Sequence, residues 1–453
     1  MSLHLKTKHS KPLSGDTLIS KSYDDDNYLE SAPIQSTSDF SASGSLEDAL
    51  GKLGVVTDSD EETSKPLGSV EHSSNSEAHR PGDKQSKKPN VSGRVRSKKQ
   101  SIEHEFALRG MKRSELVPDA SRKFLKVRHF NLEFETLKPL GTGTFGKVSL
   151  VRHVSTRQLM AVKKVSKALV VRFHQEARIM NERNYLRALN SPFIVKFYGS
   201  YSDATNLFFF LEYLPGGELF TRIQKGHGGR KGLKAHHARL YLAEVLLAFE
   251  HLHRFHIVYR DLKPENLLID AEGHIRLVDL GFALQIAYKS WSICGTTEYM
   301  APEMVQGRGS GYGADWWALG ILLYEMLVGR TPFRAADKMA CYKRIIQDEV
   351  LFPPDFPSRS AKMLIRQLLA KDVSMRLGCT AQGVEAIKSH SFFFEFDWKK
   401  CANKQLRTPW VPKFKHATDT RNFLTEGQDF TESSLTLSDV GVTDKELAIF
   451  DDF

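Results

Sequence analysis

The chain has 453 residues, 41% of them apolar, and carries 64 Lys and Arg against 54 Asp and Glu, a formal charge of +10. That length accommodates two or three domains, and the basic balance favours anionic partners such as nucleotides, phosphopeptides, acidic lipids or nucleic acid, unless the charge belongs to a solvated tail. Cys294, Cys341, Cys379 and Cys401 form no C-x-x-C pair, which excludes the usual zinc and disulfide frameworks and points to reduced thiols inside the cell.

The opening Met1-Ser2-Leu3-His4 has neither an apolar signal-peptide core nor the second-position glycine of a myristoylation site. Residues 1–122 read as a disordered polar tail, rich in Ser, Asp, Lys and Gly and without a helical or strand period. Such a segment cannot bury enough apolar surface to offset its ordering entropy. Inside it an acidic patch (Asp58, Asp60, Glu61, Glu62) precedes basic clusters at Lys84–Lys88 and Arg94–Lys99. These read as a solvated linker, with membrane or partner docking as the alternative.

From Phe130 the pattern changes. Phe130–Glu135 alternates like a half-buried strand, and Val148–His153 and Leu159–Val165 read as two more. Arg172–Leu189 has the spacing of an amphipathic helix, with Ile179, Leu186 and Leu189 on one face. Strands at Val195–Tyr201 and Leu207–Tyr213 end at Pro215-Gly216-Gly217. Beyond that point the chain turns helical. His237–His253 and Asp315–Val328 are apolar around most of their circumference, and Asp315 is placed to cap the second. The apolar run Trp316–Val328 is too short to span a bilayer and contains Glu325, so an integral membrane protein is not expected. The class is α+β: a small β lobe about 130–214, a larger helical lobe about 215–390, and a cleft between them where a ligand would sit.

The chemistry-bearing motifs follow the same order. Gly141-Thr142-Gly143-Thr144-Phe145-Gly146-Lys147-Val148 is a G-x-G-x-x-G between strands, whose side-chain-free positions let backbone amides approach phosphate oxygens. Alone it also fits dinucleotide folds, although there a helix should follow, and here Val148-Ser149-Leu150-Val151 reads as strand. Ala161-Val162-Lys163 puts a lysine on a strand, with Glu182 in the next helix to pair it, unless Lys163 is merely a strand-edge surface residue. The decisive segment is His256-Ile257-Val258-Tyr259-Arg260-Asp261-Leu262-Lys263-Pro264-Glu265-Asn266, followed by Val278-Asp279-Leu280-Gly281 and Met300-Ala301-Pro302-Glu303. Phosphoryl transfer needs a carboxylate at the attacking hydroxyl and oxygen ligands that hold magnesium against a triphosphate. Asp261, Asn266 and Asp279 supply those groups, and Lys263 can neutralise charge on the moving phosphoryl.

With these motifs in place the chain resembles eukaryotic protein kinases of the AGC group, most of all the catalytic subunits of cyclic-AMP-dependent kinases, over roughly residues 125–453. Leu214-Pro215-Gly216-Gly217-Glu218-Leu219-Phe220, Trp291-Ser292-Ile293-Cys294-Gly295-Thr296, Asp315-Trp316-Trp317-Ala318-Leu319-Gly320, Pro409-Trp410-Val411-Pro412-Lys413-Phe414 and the closing Phe450-Asp451-Asp452-Phe453 carry the likeness. The resemblance implies the bilobal protein kinase fold over 123–390, a C-terminal AGC tail over 391–453 with aromatics docked on the small lobe, and ATP and Mg2+ as cofactors. It implies Asp261 as catalytic base, Lys263 on the γ-phosphate, Thr296 supporting both, and Asn266 and Asp279 on the metals. Val148, Ala161 and Leu268 would sandwich the adenine, with Leu211 as gatekeeper and Glu212 to Leu214 as hinge. Glu218, Glu265 and Glu325 match positions that bind substrate arginines, which implies basic protein substrates. Ser292 matches an activation-loop phosphosite, filled by an upstream kinase or by the enzyme itself, with Arg260 and Arg178 placed to hold the phosphate. The expected partner is a separate cyclic-nucleotide-binding regulatory subunit, with Trp291 as a contact, and no nucleic acid; the alternatives are a cyclic-GMP-dependent or other AGC kinase and a pseudokinase scaffold. The expected placement is cytoplasmic, with the nucleus also open. Ser97 and Ser101, after Arg94-Val95-Arg96 and Lys98-Lys99-Gln100, read as self-phosphorylation sites. Three positions depart from the pattern. Leu280 stands in place of phenylalanine after Asp279, Thr297 in place of proline, and Leu284 in place of a phosphate-contacting lysine.

Overall fold

The computed structural model describes residues 122–143, 145–286, 289–292, 294–423 and 443–453, all within one compact unit. The tail readings, including Ser97 and Ser101, and the calls on Thr144 and Ile293 lie outside the described residues. Among the described residues no helix is long and apolar enough to cross a membrane, and all four cysteines are free thiols.

Five strands form the small lobe: β1 Phe134–Gly143, β2 Gly146–His153, β3 Leu159–Ser166, β4 Phe197–Ser202 and β5 Asn206–Glu212. They pair antiparallel in the order β1-β2-β3-β5-β4. The register sets Lys163 beside Val148 and Ala161 beside Leu211, so the glycine turn, the lysine and the cleft-lining apolar residues share one part of the sheet. At Gly146 a Cβ would stand 1.8 Å from the Lys164 carbonyl oxygen, so this position has no room for any other residue.

Two local expectations are corrected here. Phe130–Glu133 is a helical turn, α1, and the strand starts only at Phe134. The Glu133 carboxylate accepts the amides of Arg128 and His129 at 2.7 and 2.9 Å, and this local bonding overrides the alternating pattern. The helix expected over Arg172–Leu189 is preceded by a separate helix outside that expectation, α2 Lys167–Arg172, and begins only at Glu176, as α3 Glu176–Ala188. His174 takes a left-handed φ of 53° between them, which no helix continues through.

The large lobe is built on α5 Ala235–Arg254, which follows the short α4 Leu219–Lys225, and on α7 Tyr312–Val328, which follows α6 Pro302–Val305. Both long helices are buried over most of their length, as their all-round apolar sequences require. Asp315 does not cap α7; the helix begins at Tyr312, and Asp315 is wholly buried inside it. Two short antiparallel pairs, β6 Ile257–Val258 with β9 Leu284–Gln285 and β7 Leu267–Ile269 with β8 Ile275–Leu277, bracket the segment from Tyr259 to Asn266 and present Asp279 just beyond β8. The buried Glu244 of α5 fixes β8 by accepting His274 Nδ1 at 2.6 Å and the Ile275 amide at 2.9 Å. At the far end Phe450 and Phe453 are buried on the small lobe. Phe453 meets Phe209 edge-on at 5.1 Å and lies under Arg183 of α3.

Candidate active site

A lysine in a sheet needs its charge met, and here two elements meet it. Lys163 Nζ lies 2.7 Å from Glu182 Oε1 on α3 and 3.7 Å from Asp279 Oδ1 beyond β8. Burial works against the ammonium, but Asp279 and Glu182 outweigh it and lift its pKa above the ordinary value. Burial likewise pushes Asp279 up, yet Lys163, the Gly281 amide at 3.0 Å and Arg178 hold its carboxyl below the ordinary value. Both groups therefore stay charged at neutral pH.

The loop before β7 is shaped by a residue that its own sequence position does not explain. Asp315 accepts the amides of Tyr259 and Arg260, each at 2.9 Å, and the His253 ring at 2.8 Å. With that clamp Arg260 holds a left-handed φ of 67°, and Asp279 nearby one of 55°; such backbone strain persists where surrounding contacts over-determine it. Asp261, only 3% exposed, then accepts Thr296 Oγ1 at 3.1 Å and Asn266 Nδ2 at 2.9 Å, with Lys263 Nζ 3.3 Å away. Burial raises its pKa, opposed by Lys263 and reinforced by Asp279. The structure thus brings Asp261, Lys263, Thr296, Asn266, Asp279, Lys163 and Glu182 into one site.

The apolar roof also assembles. Val148, Ala161 and Leu211 pack together with Leu140 and Tyr213, while Leu268 lines the core below. Leu214 is buried, and Glu212 is held by Arg276 at 3.4 Å. Sequence reasoning missed Phe423, which joins this cluster and stacks on Tyr213 at 6.1 Å. Its segment is tied across the hinge by Tyr213 Oη to Asp419 O at 3.0 Å and Asn422 Nδ2 to Pro215 O at 2.9 Å. No local signal marks that return of the chain; an aromatic after a polar run was the only hint. Behind the cleft Leu280, 1% exposed, shares a core with Leu186, Phe197 and Tyr259, so leucine fills the place of the missing phenylalanine.

Three carboxylates border the cleft. Glu218 is pushed up to about 7 by burial and by Glu265. Glu325 is pushed up to about 7 by burial, although the Tyr299 hydroxyl donates to it, and Glu265 acts on it as well. Among the described residues none of the three forms an ion pair. Ser292, exposed, accepts from Arg260 Nη1, which also reaches Ser290 Oγ at 3.0 Å. Arg178 is turned elsewhere: its Nε donates to Gly281 O at 2.6 Å and its guanidinium lies 3.6 Å from the Phe282 ring centre. Leu284 sits in β9. Gly141 has open space where a Cβ would be, and a Cβ on Gly143 would meet the Gly146 carbonyl at 3.8 Å, ordinary contact; Thr142, Phe145 and Lys147 complete the turn.

Magnesium fits this donor set. It accepts one or two protein oxygens and leaves the rest to phosphates and water. Asn266, whose amide nitrogen is committed to Asp261, and the ionised Asp279 offer one amide oxygen and one carboxylate.

The protein kinase domain family matches residues 134–393. The chain is similar to the mouse cAMP-dependent protein kinase catalytic subunit PRKX, 41% identical over 330 residues, covering 72% of this chain and 90% of the relative. It is 41% identical over 293 residues to the cAMP-dependent protein kinase catalytic subunit of Dictyostelium discoideum, covering 64% of this chain and 44% of that protein. The chain thus spans less than half the length of that relative. Mouse ribosomal protein S6 kinase alpha-3 is 42% identical over 297 residues, with 64% of this chain and 39% of the relative covered.

Proposed function

The chain belongs to the protein kinase family, with serine/threonine kinase activity, and from that premise we propose that it transfers the γ-phosphate of ATP to hydroxyls in arginine-rich protein segments, in the cytoplasm, under the control of a cyclic-nucleotide-binding regulatory subunit. The carrying observation is the acidic trio. Glu218, Glu265 and Glu325 gather at the cleft without an ion pair among the described residues, with only the more distant Lys263 and Arg334 acting on them, and two of them are held near 7 by burial. Carboxylates so placed weaken the fold when ionised, and a substrate guanidinium would supply the missing charge by charge-assisted hydrogen bonds.

In this reading Asp261 orients the acceptor hydroxyl and takes its proton, since its two oxygens are fixed by Thr296 and Asn266. Lys163, held by Glu182, meets the α/β-phosphates, and Lys263 meets the phosphoryl group in transfer. Asn266 and Asp279 would hold magnesium, which when bound would supply neutralisation of phosphate charge. The apolar cluster of Val148, Ala161, Leu211 and Phe423 encloses the base and excludes water. Phosphate on Ser292 would strengthen bonds that Arg260 already makes to its hydroxyl, and Arg260 adjoins Asp261 directly.

Glu218→Gln is the test of substrate class. It is expected to raise KM for an Arg-Arg-x-Ser peptide about tenfold or more, the worth of a hydrogen bond to a charged group, with kcat nearly unchanged. For the unaltered enzyme kcat/KM on that peptide should climb between pH 6 and 8, because the raised pKa leaves Glu218 protonated below about 7 and ionised above it. The glutamine variant should lose that part of the rise; equal KM values for the two proteins would refute the assignment. The identity shared with the ribosomal protein S6 kinase favours, as a second reading, an AGC kinase without such a subunit. Adding a cyclic-AMP-dependent regulatory subunit to the same assay separates them: inhibition relieved by cyclic AMP supports the first, and indifference the second.

A further inference from the structure

We infer that the large lobe carries an anion site, distinct from the cleft, that takes a single phosphate group. Its frame is a cavity of about 70 Å3 between α4, the turn 226–232, the start of α5 and Trp410. That is well above the roughly 10–15 Å3 that one water needs. Arg222, His227, Lys234, His237 and Tyr241 are its polar lining residues, beside Leu233, Pro409 and Trp410, and no acidic residue lines it, although Glu244 and Asp270 act on Tyr241.

Among the described residues Arg222, the Tyr241 hydroxyl and the start of α5 each lack a partner. Arg222 is half-buried with its guanidinium 4.4 Å from the Trp410 ring centre, and among the described residues no carboxylate pairs with it. Tyr241 is 2% exposed, and its buried hydroxyl has no hydrogen-bond partner; a donor so placed costs stability until an acceptor arrives. The twenty-residue α5 begins here with no side-chain cap and no acidic residue in its first turn, so the positive end of its dipole is unmatched. Lys234 precedes that first turn and His237 lies within it.

The frame is built in advance. Gly226, Gly228, Gly229 and Gly232 all hold positive φ values, from 57° to 93°, and His227 pairs with Arg230 across the turn. A Cβ on Gly226 would collide with the Arg230 carbonyl at 1.8 Å, and His227 Nδ1 is fixed 3.1 Å from Gly232 O. The excess of positive charge is legible in His237, which burial, then His236, Lys234, His227 and Arg222, push down to about 4. Those cations come from α4, the turn and α5; Pro409 and Trp410, the remaining wall, carry no charge. The guanidinium and the ammonium can only donate, and the phenol hydroxyl can donate as well, which suits a tetrahedral oxyanion with acceptors on every corner.

The site is tested on the full chain with magnesium and a non-hydrolysable ATP analogue saturating the cleft, and with ring-labelled histidine. The His237 resonance is assigned by its loss in His237→Gln. Titration with inorganic phosphate should move that resonance saturably toward the protonated position, while sodium chloride at matched ionic strength should not. Arg222→Gln and Tyr241→Phe should each weaken the response about tenfold, and Tyr241→Phe keeps the packing of the ring. A phosphoserine peptide that binds more tightly than phosphate would make the natural source a polypeptide; equal binding would make it the free ion, and both outcomes uphold the site. No shift at tens of millimolar phosphate, an equal shift with chloride, or undiminished binding in both variants would overturn it.

Discussion

Asp261→Asn is expected to lower kcat by roughly 10²–10⁴-fold, the usual worth of a positioned general base, with KM for ATP nearly unchanged. The substitution is nearly isosteric. An asparagine there keeps an acceptor for Thr296 or Asn266, and Asp315 still clamps the loop through the Tyr259 and Arg260 amides. Lys163, Glu182 and Asp279 are untouched, so the nucleotide side of the site should hold. What disappears is the negative charge and the proton acceptor. Single-turnover phosphorylation of a basic peptide, with nucleotide affinity measured separately, checks this; activity within threefold of the parent would remove Asp261 from the chemistry.

The second large effect is on stability. Arg376 is wholly buried and makes a bidentate contact with Glu303, at 2.7 and 2.9 Å, with further bonds to Gly313 O at 2.9 Å and Ala370 O at 3.0 Å. It also lies 5.2 Å from the Trp317 ring centre. Arg376→Ala strands the Glu303 carboxylate and two carbonyls in the core, and should cost about 3–5 kcal/mol, a large share of the roughly 5–15 kcal/mol that typically holds a protein folded. Arg376→Lys should recover little, because an ammonium cannot form the two parallel bonds. Replacing both partners by Met and Leu should cost less than Arg376→Ala alone, since no charge is then left unpaired. Denaturant titration of the three proteins decides the order. A loss below about 1 kcal/mol for Arg376→Ala would mean the pair is solvated in a way its burial denies.

How much of this was legible in the sequence depended on how local the determining physics is. The residues from Asp261 to Asn266, with Asp279, could be read because phosphoryl transfer dictates their types and their spacing, and the structure gathers them with Lys163 and Glu182. The order of strands and the two long helices were visible as periodicity. The misses share one cause. Asp315 looked like a helix cap because its neighbours in sequence suggested it, yet its partners are Tyr259 and Arg260, far back along the chain. Phe130–Glu133 alternates correctly for a strand, but one carboxylate bonding two amides turned it helical. His174 carries no glycine-like signal for the left-handed turn that splits α2 from α3. Phe423 in the roof and Arg376 against Glu303 are tertiary pairings, and neither period nor spacing reports those.

The measurement that tests the central claim most directly is ATP-dependent phosphorylation of an Arg-Arg-x-Ser peptide by the parent protein and by Asp279→Ala, with an acidic-flanked peptide as control. The account predicts transfer to the basic peptide, little to the acidic one, and none in the variant. Silence on both peptides from protein phosphorylated at Ser292 would contradict it, and so would activity that survives the loss of Asp279.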